Sequence, residues 1–344
     1  MRRLGSALVI SLFSIAAVAG PTLACGGLIG PNGAVNLLRT TTFAGYHDGI
    51  EHYVTAFQFA GGGGSFGSIT PLPGVPDAVE KGGDWTLQRL VRETSPDFFR
   101  AVGAAASGDS AEELMKVRID ALDLTVLRGG ADEIGQWAKE HDFRLPPDAP
   151  EVLEFYAERS PIFLAAAFDA AAAAERGQEL GDGTPVHITI PTDDPWVPLR
   201  ILGLGKQASE RIQADVFLLT DERPNLLPTP IGRNGLELTH SAAATDLLLD
   251  DLRSDRGMEW IPGSGWLSKI AIDASADQLT FDLAVSNDGG QPSRVDAGFE
   301  LASTGRGGDQ ALRGAVGLLL LALGSLFALS LVIGRPAAGP GRPI

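Results

Sequence analysis

Hydrophobic positions form one long uncharged run near each end of the chain, with short alternating or periodic segments between them. The first run covers residues 4–19 and follows Arg2 and Arg3, and small residues precede Cys25. A basic start, an apolar stretch and a small-residue cleavage site are typical of a secretory signal peptide. We therefore predict a signal peptide over residues 1–24.

The second run covers residues 314–334 and is bounded by Arg313 and Arg335. At about 1.5 Å per residue, a helix of this length spans roughly 31 Å, which matches the hydrocarbon core of a bilayer. The run predicts a single transmembrane helix in contact with membrane lipid.

The two runs together predict the domain organisation and the location of the protein. They place the main domain outside the cell membrane and the C-terminus in the cytoplasm, as a single-pass membrane protein. The expected segments after the signal peptide are an exported α+β domain over residues 25–285, a flexible stalk over 286–313, the transmembrane helix over 314–334 and a short cytoplasmic tail over 335–344.

A hairpin is predicted within residues 34–59, where apolar and polar positions alternate. Asp48-Gly49 interrupts the alternation, and this dipeptide is typical of two-residue turns because both turn positions need positive φ. The register that follows from the turn pairs His47 with Ile50, Tyr46 with Glu51, and Phe43 with Val54.

Patterns elsewhere predict an α+β fold with a largely antiparallel sheet and flanking helices, in addition to the transmembrane helix. The expected elements are an extended or edge segment over residues 66–72 because of Pro71, a helix over 85–92 with Asp84 as its N-cap, one strand over 115–127, a helix over 131–141 with Ile134, Trp137 and Ala138 inward, and a hairpin over 266–285.

The charge of the chain excludes one class of partner, and its cysteine content excludes one kind of cross-link. Four arginines lie in the terminal segments, which leaves 23 basic and 43 acidic residues in the rest of the chain, a net charge of −20. Such a surface repels phosphate backbones, so no nucleic-acid partner is expected. The single cysteine, Cys25, excludes an intrachain disulfide.

Several motifs together resemble a known bacterial family. They are Cys25-Gly26-Gly27, the Asp48-Gly49 turn, Ile69-Thr70-Pro71-Leu72-Pro73-Gly74-Val75-Pro76, Trp137 followed by Asp142-Phe143-Arg144-Leu145-Pro146, then Tyr156, Phe163 and Pro198-Leu199-Arg200. Over roughly residues 25–225 the chain is similar to the family called domain of unknown function 2330. The resemblance implies an exported, often membrane-anchored protein, and it implies no activity.

The densest group of side chains able to bind a metal lies at the predicted hairpin. His47 and His52 share one face there as diagonal neighbours, about 7–8 Å apart, which suits two ligands of one metal. Asp48 occupies the turn and Glu51 faces the other way. We favour the other interpretation, that these are polar residues at an exposed hairpin end.

Two other motifs have both a chemical and a structural interpretation. Ser65 lies in a Gly-x-Ser-x-Gly pattern like that of a nucleophile elbow, but the prolines that follow exclude the helix that this chemistry needs. A flexible glycine loop fits better. Trp260 and Trp266 flank a glycine-containing loop and form either a binding platform or buried anchors of the loop, which we favour.

Two functional hypotheses follow from these patterns. The favoured one is a membrane-anchored extracytoplasmic module with a non-catalytic binding or structural role at the cell envelope. Its partner would be an unidentified envelope protein or polysaccharide, and no cofactor is expected. The alternative is a metal-assisted envelope hydrolase that uses His47 and His52.

Overall fold

The computed structural model describes residues 27–30, 33–34, 40–58, 66–94, 116–175, 183–287 and 289–299. The predicted signal peptide, Cys25, Ser65, the run over 314–334 and the tail lie outside these ranges. Among the residues described, no helix has both the length and the apolar character needed to cross a membrane.

The described chain begins with six strands, and helices follow at intervals among the later strands. The strands are β1 Gly27–Gly30, β2 Gly33–Ala34, β3 Thr40–His47, β4 Ile50–Gln58, β5 Phe66–Leu72, β6 Ala78–Lys81, β7 Lys116–Ile119, β8 Leu122–Arg128, β9 Ile162–Phe168, β10 Gly183–Pro191, β11 Trp196–Val197, β12 Arg211–Thr220, β13 Asn225–Leu227, β14 Leu236–Ala243, β15 Trp266–Ser275 and β16 Leu283–Ser286. The helices are α1 Thr86–Thr94, α2 Ala131–Glu140, α3 Ala149–Ala157, α4 Ala170–Glu175, α5 Asp246–Ser254 and a 3₁₀ helix over Arg200–Gly203.

The described strands form three sheets. The order in the largest sheet is β14-β15-β12-β3-β4-β10-β6, in the second β2-β1-β5-β9-β8-β7, and in the smallest β11-β16-β13. Strands β3 and β12 are parallel, and the other pairs described are antiparallel. The structure therefore confirms the prediction of an α+β fold with largely antiparallel sheets.

Apolar side chains on the sheet faces bring the elements together in four layers. The central core lies between the two large sheets, with Tyr53 and Val216 on one side and Leu164 on the other. The outer face of the six-stranded sheet packs on α2 and α3. The outer face of the seven-stranded sheet packs on α1 and α5. Period-two alternation lets each large sheet contribute to two cores.

The predicted hairpin is confirmed in its turn and its register. Asp48 and Gly49 have φ values of 51° and 75°. Strands β3 and β4 pair in the predicted register, in which His47 faces Ile50, Tyr46 faces Glu51 and Phe43 faces Val54. The helix predicted over 131–141 is also present as α2, with Ile134, Trp137 and Ala138 buried.

Two strand predictions are wrong because tight turns and crossovers left no local signal. The single strand expected over 115–127 is the hairpin β7–β8, which turns at Asp120 with a φ of 54°. The hairpin expected over 266–285 does not form. Strand β15 pairs with β12 and β14, whereas β16 belongs to the three-stranded sheet.

Strand β5 is extended as predicted, but it lies inside the six-stranded sheet rather than at its edge. Among the described residues, β1 pairs with residues 67–69 of β5, and Pro71 follows these pairs.

The N-terminus of α1 is capped by a residue that is distant in sequence. The carboxylate of Asp255 accepts hydrogen bonds from the backbone N–H groups of Asp84 (3.1 Å), Trp85 (2.9 Å) and Thr86 (2.8 Å). The prediction that Asp84 is the N-cap is therefore wrong. A carboxylate at this position also complements the helix dipole.

The packed part of the chain continues past the expected domain end at residue 285. Ala297 is fully buried, and its carbonyl oxygen accepts a hydrogen bond from the backbone of Asp282. Phe299 packs against the central core. The segment over 289–299, which the sequence places in the stalk, thus contacts the domain.

Candidate functional site

Three histidines share one face of the seven-stranded sheet near the β3–β4 turn. The alternation of side chains places His47 on β3 and His52 on β4 on the same face as Val54. Strand β10 pairs with β4 so that His187 lies opposite Val54. Sequence alone does not indicate this neighbour, because no local pattern links His187 to the hairpin.

His52 and His187 form a hydrogen-bonded pair covered by a tryptophan. Their facing nitrogens, Nδ1 of His52 and Nε2 of His187, are 2.9 Å apart. The ring of His52 is parallel to the indole of Trp260, with centroids 4.0 Å apart. Gly45 permits this stack, since a Cβ at that position would collide with the indole. Trp260 therefore anchors its loop on the sheet, which is the interpretation that we favour from the sequence.

Burial keeps both members of this pair neutral at ordinary pH. Desolvation, followed by the nearby His187 and His47, lowers the pKa of His52 from 6.5 to about 3. Desolvation lowers the pKa of His187 to about 4. In a neutral pair one ring nitrogen donates and the other accepts, so the hydrogen bond satisfies both facing atoms.

His47 has different partners. Its Nδ1 atom lies 2.5 Å from a carboxylate oxygen of Asp221, and its Nε2 atom lies 3.2 Å from Asp48. The side chains of His47 and Asp221 are about two-fifths exposed. The structure therefore brings His52 together with His187, while His47 pairs with carboxylates at the sheet end.

The nitrogen separation bears on the metal hypothesis. Two imidazole nitrogens bound to one tetrahedral metal ion lie about 3.3 Å apart, because each metal–nitrogen bond is about 2.0–2.1 Å. The observed 2.9 Å suits a shared proton instead. The described residues contain no group of three or more histidine, cysteine, aspartate or glutamate side chains arranged to hold a metal ion.

Glu51 lies on the opposite face of the same hairpin, inside the molecule. Its side chain is 1 % exposed, and neither carboxyl oxygen makes a hydrogen bond of ordinary geometry with the described residues. Burial raises the pKa of Glu51 from 4.5 to about 8, and a backbone hydrogen-bond donor at Trp196 lowers it by less. The sequence placed Glu51 on this face, but the interpretation of Glu51 as an exposed polar residue is wrong, because the packed layers cover this end of the hairpin.

A second buried carboxyl group, that of Asp282, is saturated with donors. Its Oδ1 atom accepts hydrogen bonds from the hydroxyl of Tyr156 (2.8 Å) and from the backbone N–H groups of Leu199 (2.7 Å) and Arg200 (3.1 Å). Its Oδ2 atom lies 2.5 Å from a guanidinium nitrogen of Arg159. Burial and the Asp282 charge raise the pKa of Tyr156, which keeps the hydroxyl a donor.

Comparisons with known proteins give a family match. The model of a family described as an uncharacterized protein conserved in bacteria, DUF2330, matches residues 20–230. This match confirms the resemblance drawn from the motifs. No curated protein matches the sequence.

Solved structures with some similarity come from a baculovirus. A mutated P35 after caspase cleavage, at 2.7 Å resolution, aligns with a TM-score of 0.39 and 8 % identity, covering 72 % of this chain and 99 % of that one. Baculovirus P35 itself aligns with a TM-score of 0.38 and 11 % identity, covering 72 % and 96 %. Both scores are below 0.5, so they support no statement about function.

Proposed function

We propose, from the premise that this chain belongs to the bacterial family DUF2330, that it is a membrane-anchored extracytoplasmic module with a non-catalytic structural or binding role at the cell envelope. The two terminal apolar runs support the location, with residues 314–334 as the anchor in membrane lipid. The partner would be an envelope protein or polysaccharide.

The observation that supports a non-catalytic role is that buried carboxylates hold the backbone of other segments in place. Asp282 holds the backbone of Leu199 and Arg200, and Asp255 holds the start of α1. These carboxylates join segments that are distant in sequence, as structural groups do. The candidate metal ligands also have partners within the domain, since His52 is hydrogen-bonded to His187 and His47 contacts Asp221.

The location is tested by adding protease to intact cells that produce the full chain with a C-terminal epitope tag. We expect the domain to be digested while the tag stays protected. A control variant that lacks residues 314–334 should leave the membrane fraction. Protection of the whole chain, or loss of the wild type from the membrane fraction without protease, would contradict the proposal.

A second candidate function is metal-assisted hydrolysis, favoured by the three imidazoles on one sheet face. His52 and His187 are neutral and therefore in the form that binds metals, with His47 nearby. Zn²⁺, Ni²⁺ and Cu²⁺ should each be added to the purified protein while the melting temperature is measured. A rise that is lost in both His47→Ala and His52→Ala would support this candidate. A rise unaffected by either change would count against it.

A further inference from the structure

Glu51 occupies a site where a carboxyl group has no evident structural use. It lies in β4 with Tyr46 opposite on β3 and Ile190 opposite on β10. The titratable groups on its side of these strands are the phenols of Tyr46 and, two residues along β4, Tyr53. On the side of β11, the backbone of Trp196 faces it. No charged side chain of the described chain contributes to its pKa shift.

The strand end that carries Glu51 is joined to the segment that leads to Trp196. The backbone N–H of Thr192 donates to the carbonyl of Gly49 at 3.0 Å, and the hydroxyl of Tyr46 donates to the carbonyl of Thr192 at 2.9 Å. These bonds join the hairpin end to Thr192, and the chain continues from there to Trp196, whose backbone faces the Glu51 carboxyl group. A charge formed at Glu51 would therefore appear beneath this contact.

Trp196 connects this contact to the buried network around Asp282. Its indole stacks on Tyr156, with ring centroids 5.8 Å apart, and the guanidinium of Arg159 lies 4.8 Å from the indole centroid. Movement of the Trp196 segment would therefore disturb Tyr156 and Arg159, which are both partners of Asp282. The smallest sheet, in which β11 pairs with β16, would move with it.

We propose that Glu51 is a proton-operated latch between the β3–β4 hairpin and the Trp196 segment. The protonated carboxyl group is neutral and allows the hairpin end to close over residues 192–196. Loss of the proton places a charge in a buried site where the Trp196 backbone offsets only part of the lost hydration, and water reaches that charge only when the contact opens. This device goes beyond the proposed envelope role and does not depend on it.

The direction of the pH effect follows from the raised pKa. The unfolded chain releases the Glu51 proton near pH 4.5, whereas the folded chain retains it up to about pH 8. The contribution of Glu51 to stability is therefore fully present below about pH 4.5 and is lost as the pH rises through 8. The contact should open over the upper part of that window.

The test compares wild type with Glu51→Gln, which keeps the shape of the side chain and removes its titration. Melting temperatures of the purified full-length protein should be measured from pH 5 to 9.5. Glu237→Gln is the matched control, because Glu237 is exposed on β14. Between pH 6.5 and 9.5 we expect wild type to lose about 5 °C more than Glu51→Gln does. Parallel curves for wild type and Glu51→Gln would overturn the proposal.

Hydrogen exchange tests the opening itself. After correction for the intrinsic rate, amides over residues 192–199 should exchange faster in wild type at pH 9 than in Glu51→Gln, with little difference at pH 6. Equal protection at pH 9 would contradict a latch at this contact. If Glu51→Gln does not fold, carboxyl ¹³C NMR of wild type decides, since the absence of any glutamate titrating above about pH 6.5 would overturn the idea.

Discussion

Asp282 and Glu51 are carboxyl groups with nearly the same burial and opposite surroundings. Asp282 is fully buried and accepts hydrogen bonds from a tyrosine, two backbone amides and an arginine. Glu51 is 1 % exposed and makes no hydrogen bond of ordinary geometry with the described residues, although the backbone of Trp196 acts on it as a donor. Burial is the same in both regions, so the donors around each group determine its role.

The difference shows that an ionised Asp282 stabilises the fold, whereas an ionised Glu51 destabilises it. Donors around Asp282 replace the water lost on folding, and removal of the carboxylate would leave them unpaired. The donor that acts on Glu51 is the backbone of Trp196, and burial outweighs it, so Glu51 remains protonated at neutral pH and ionises at a cost to stability. Trp196 contacts the Asp282 network and faces Glu51, which makes the two regions neighbours.

The largest effect is expected for Asp282→Asn. The change leaves the buried guanidinium of Arg159 without its counter-charge, so the free energy of unfolding should fall by about 3–5 kcal/mol. Urea denaturation of purified wild-type and variant proteins measures this loss. Asp193→Asn, at an exposed aspartate, is the control and should stay within about 0.5 kcal/mol. A loss of less than about 1 kcal/mol for Asp282→Asn would show that the donors around Asp282 do not make it more important to stability than Glu51.

Glu51→Met should have the opposite sign. Methionine fills a similar volume without a polar group, and the carboxyl it replaces makes no hydrogen bond of ordinary geometry with the described residues. We expect a gain of about 1–3 kcal/mol in the free energy of unfolding at pH 7.5, measured by the same denaturation experiment. Destabilisation would show that the carboxyl makes a contact important to the fold.

Gly49→Val tests the turn that directs Glu51 inward and His52 to the other face. A Cβ at Gly49 meets no atom within 4 Å, so the cost comes from its φ of 75° alone. We expect a loss of about 1–2 kcal/mol on chemical denaturation. Gly49→Asn is the matched control and should lose less, because asparagine tolerates this conformation better. Equal losses would point to a cause other than φ.

The smallest effects are expected on the histidine face. His52→Ala removes one partner of the pair with His187 and the stack on Trp260, so a loss of about 1 kcal/mol is expected. His47→Ala removes a contact with Asp221 that is about two-fifths exposed and should change stability by less than about 0.5 kcal/mol. Denaturation midpoints compare the two variants. A larger loss for His47→Ala would reverse our assignment of their roles.

Much of the candidate site depends on a hairpin that could be predicted. Asp48-Gly49 and the alternation around it placed His47 and His52 on one face and Glu51 on the other, and the structure has this register. The partners were not predictable. His187 lies 135 residues from His52, and Asp221 lies 174 residues from His47. No local pattern reports such distant contacts.

The sequence by itself determined the elements that rest on turn chemistry and periodicity, such as the β3–β4 hairpin and the inward face of α2. Only the tertiary structure decided which buried carboxyl is satisfied. The donors to Asp282 include Tyr156, 126 residues away, and the cap of α1 is Asp255, 169 residues from Thr86. Turns and periodic faces are set by neighbouring residues, whereas the pairing of a buried polar group depends on which segments the packed layers bring against it.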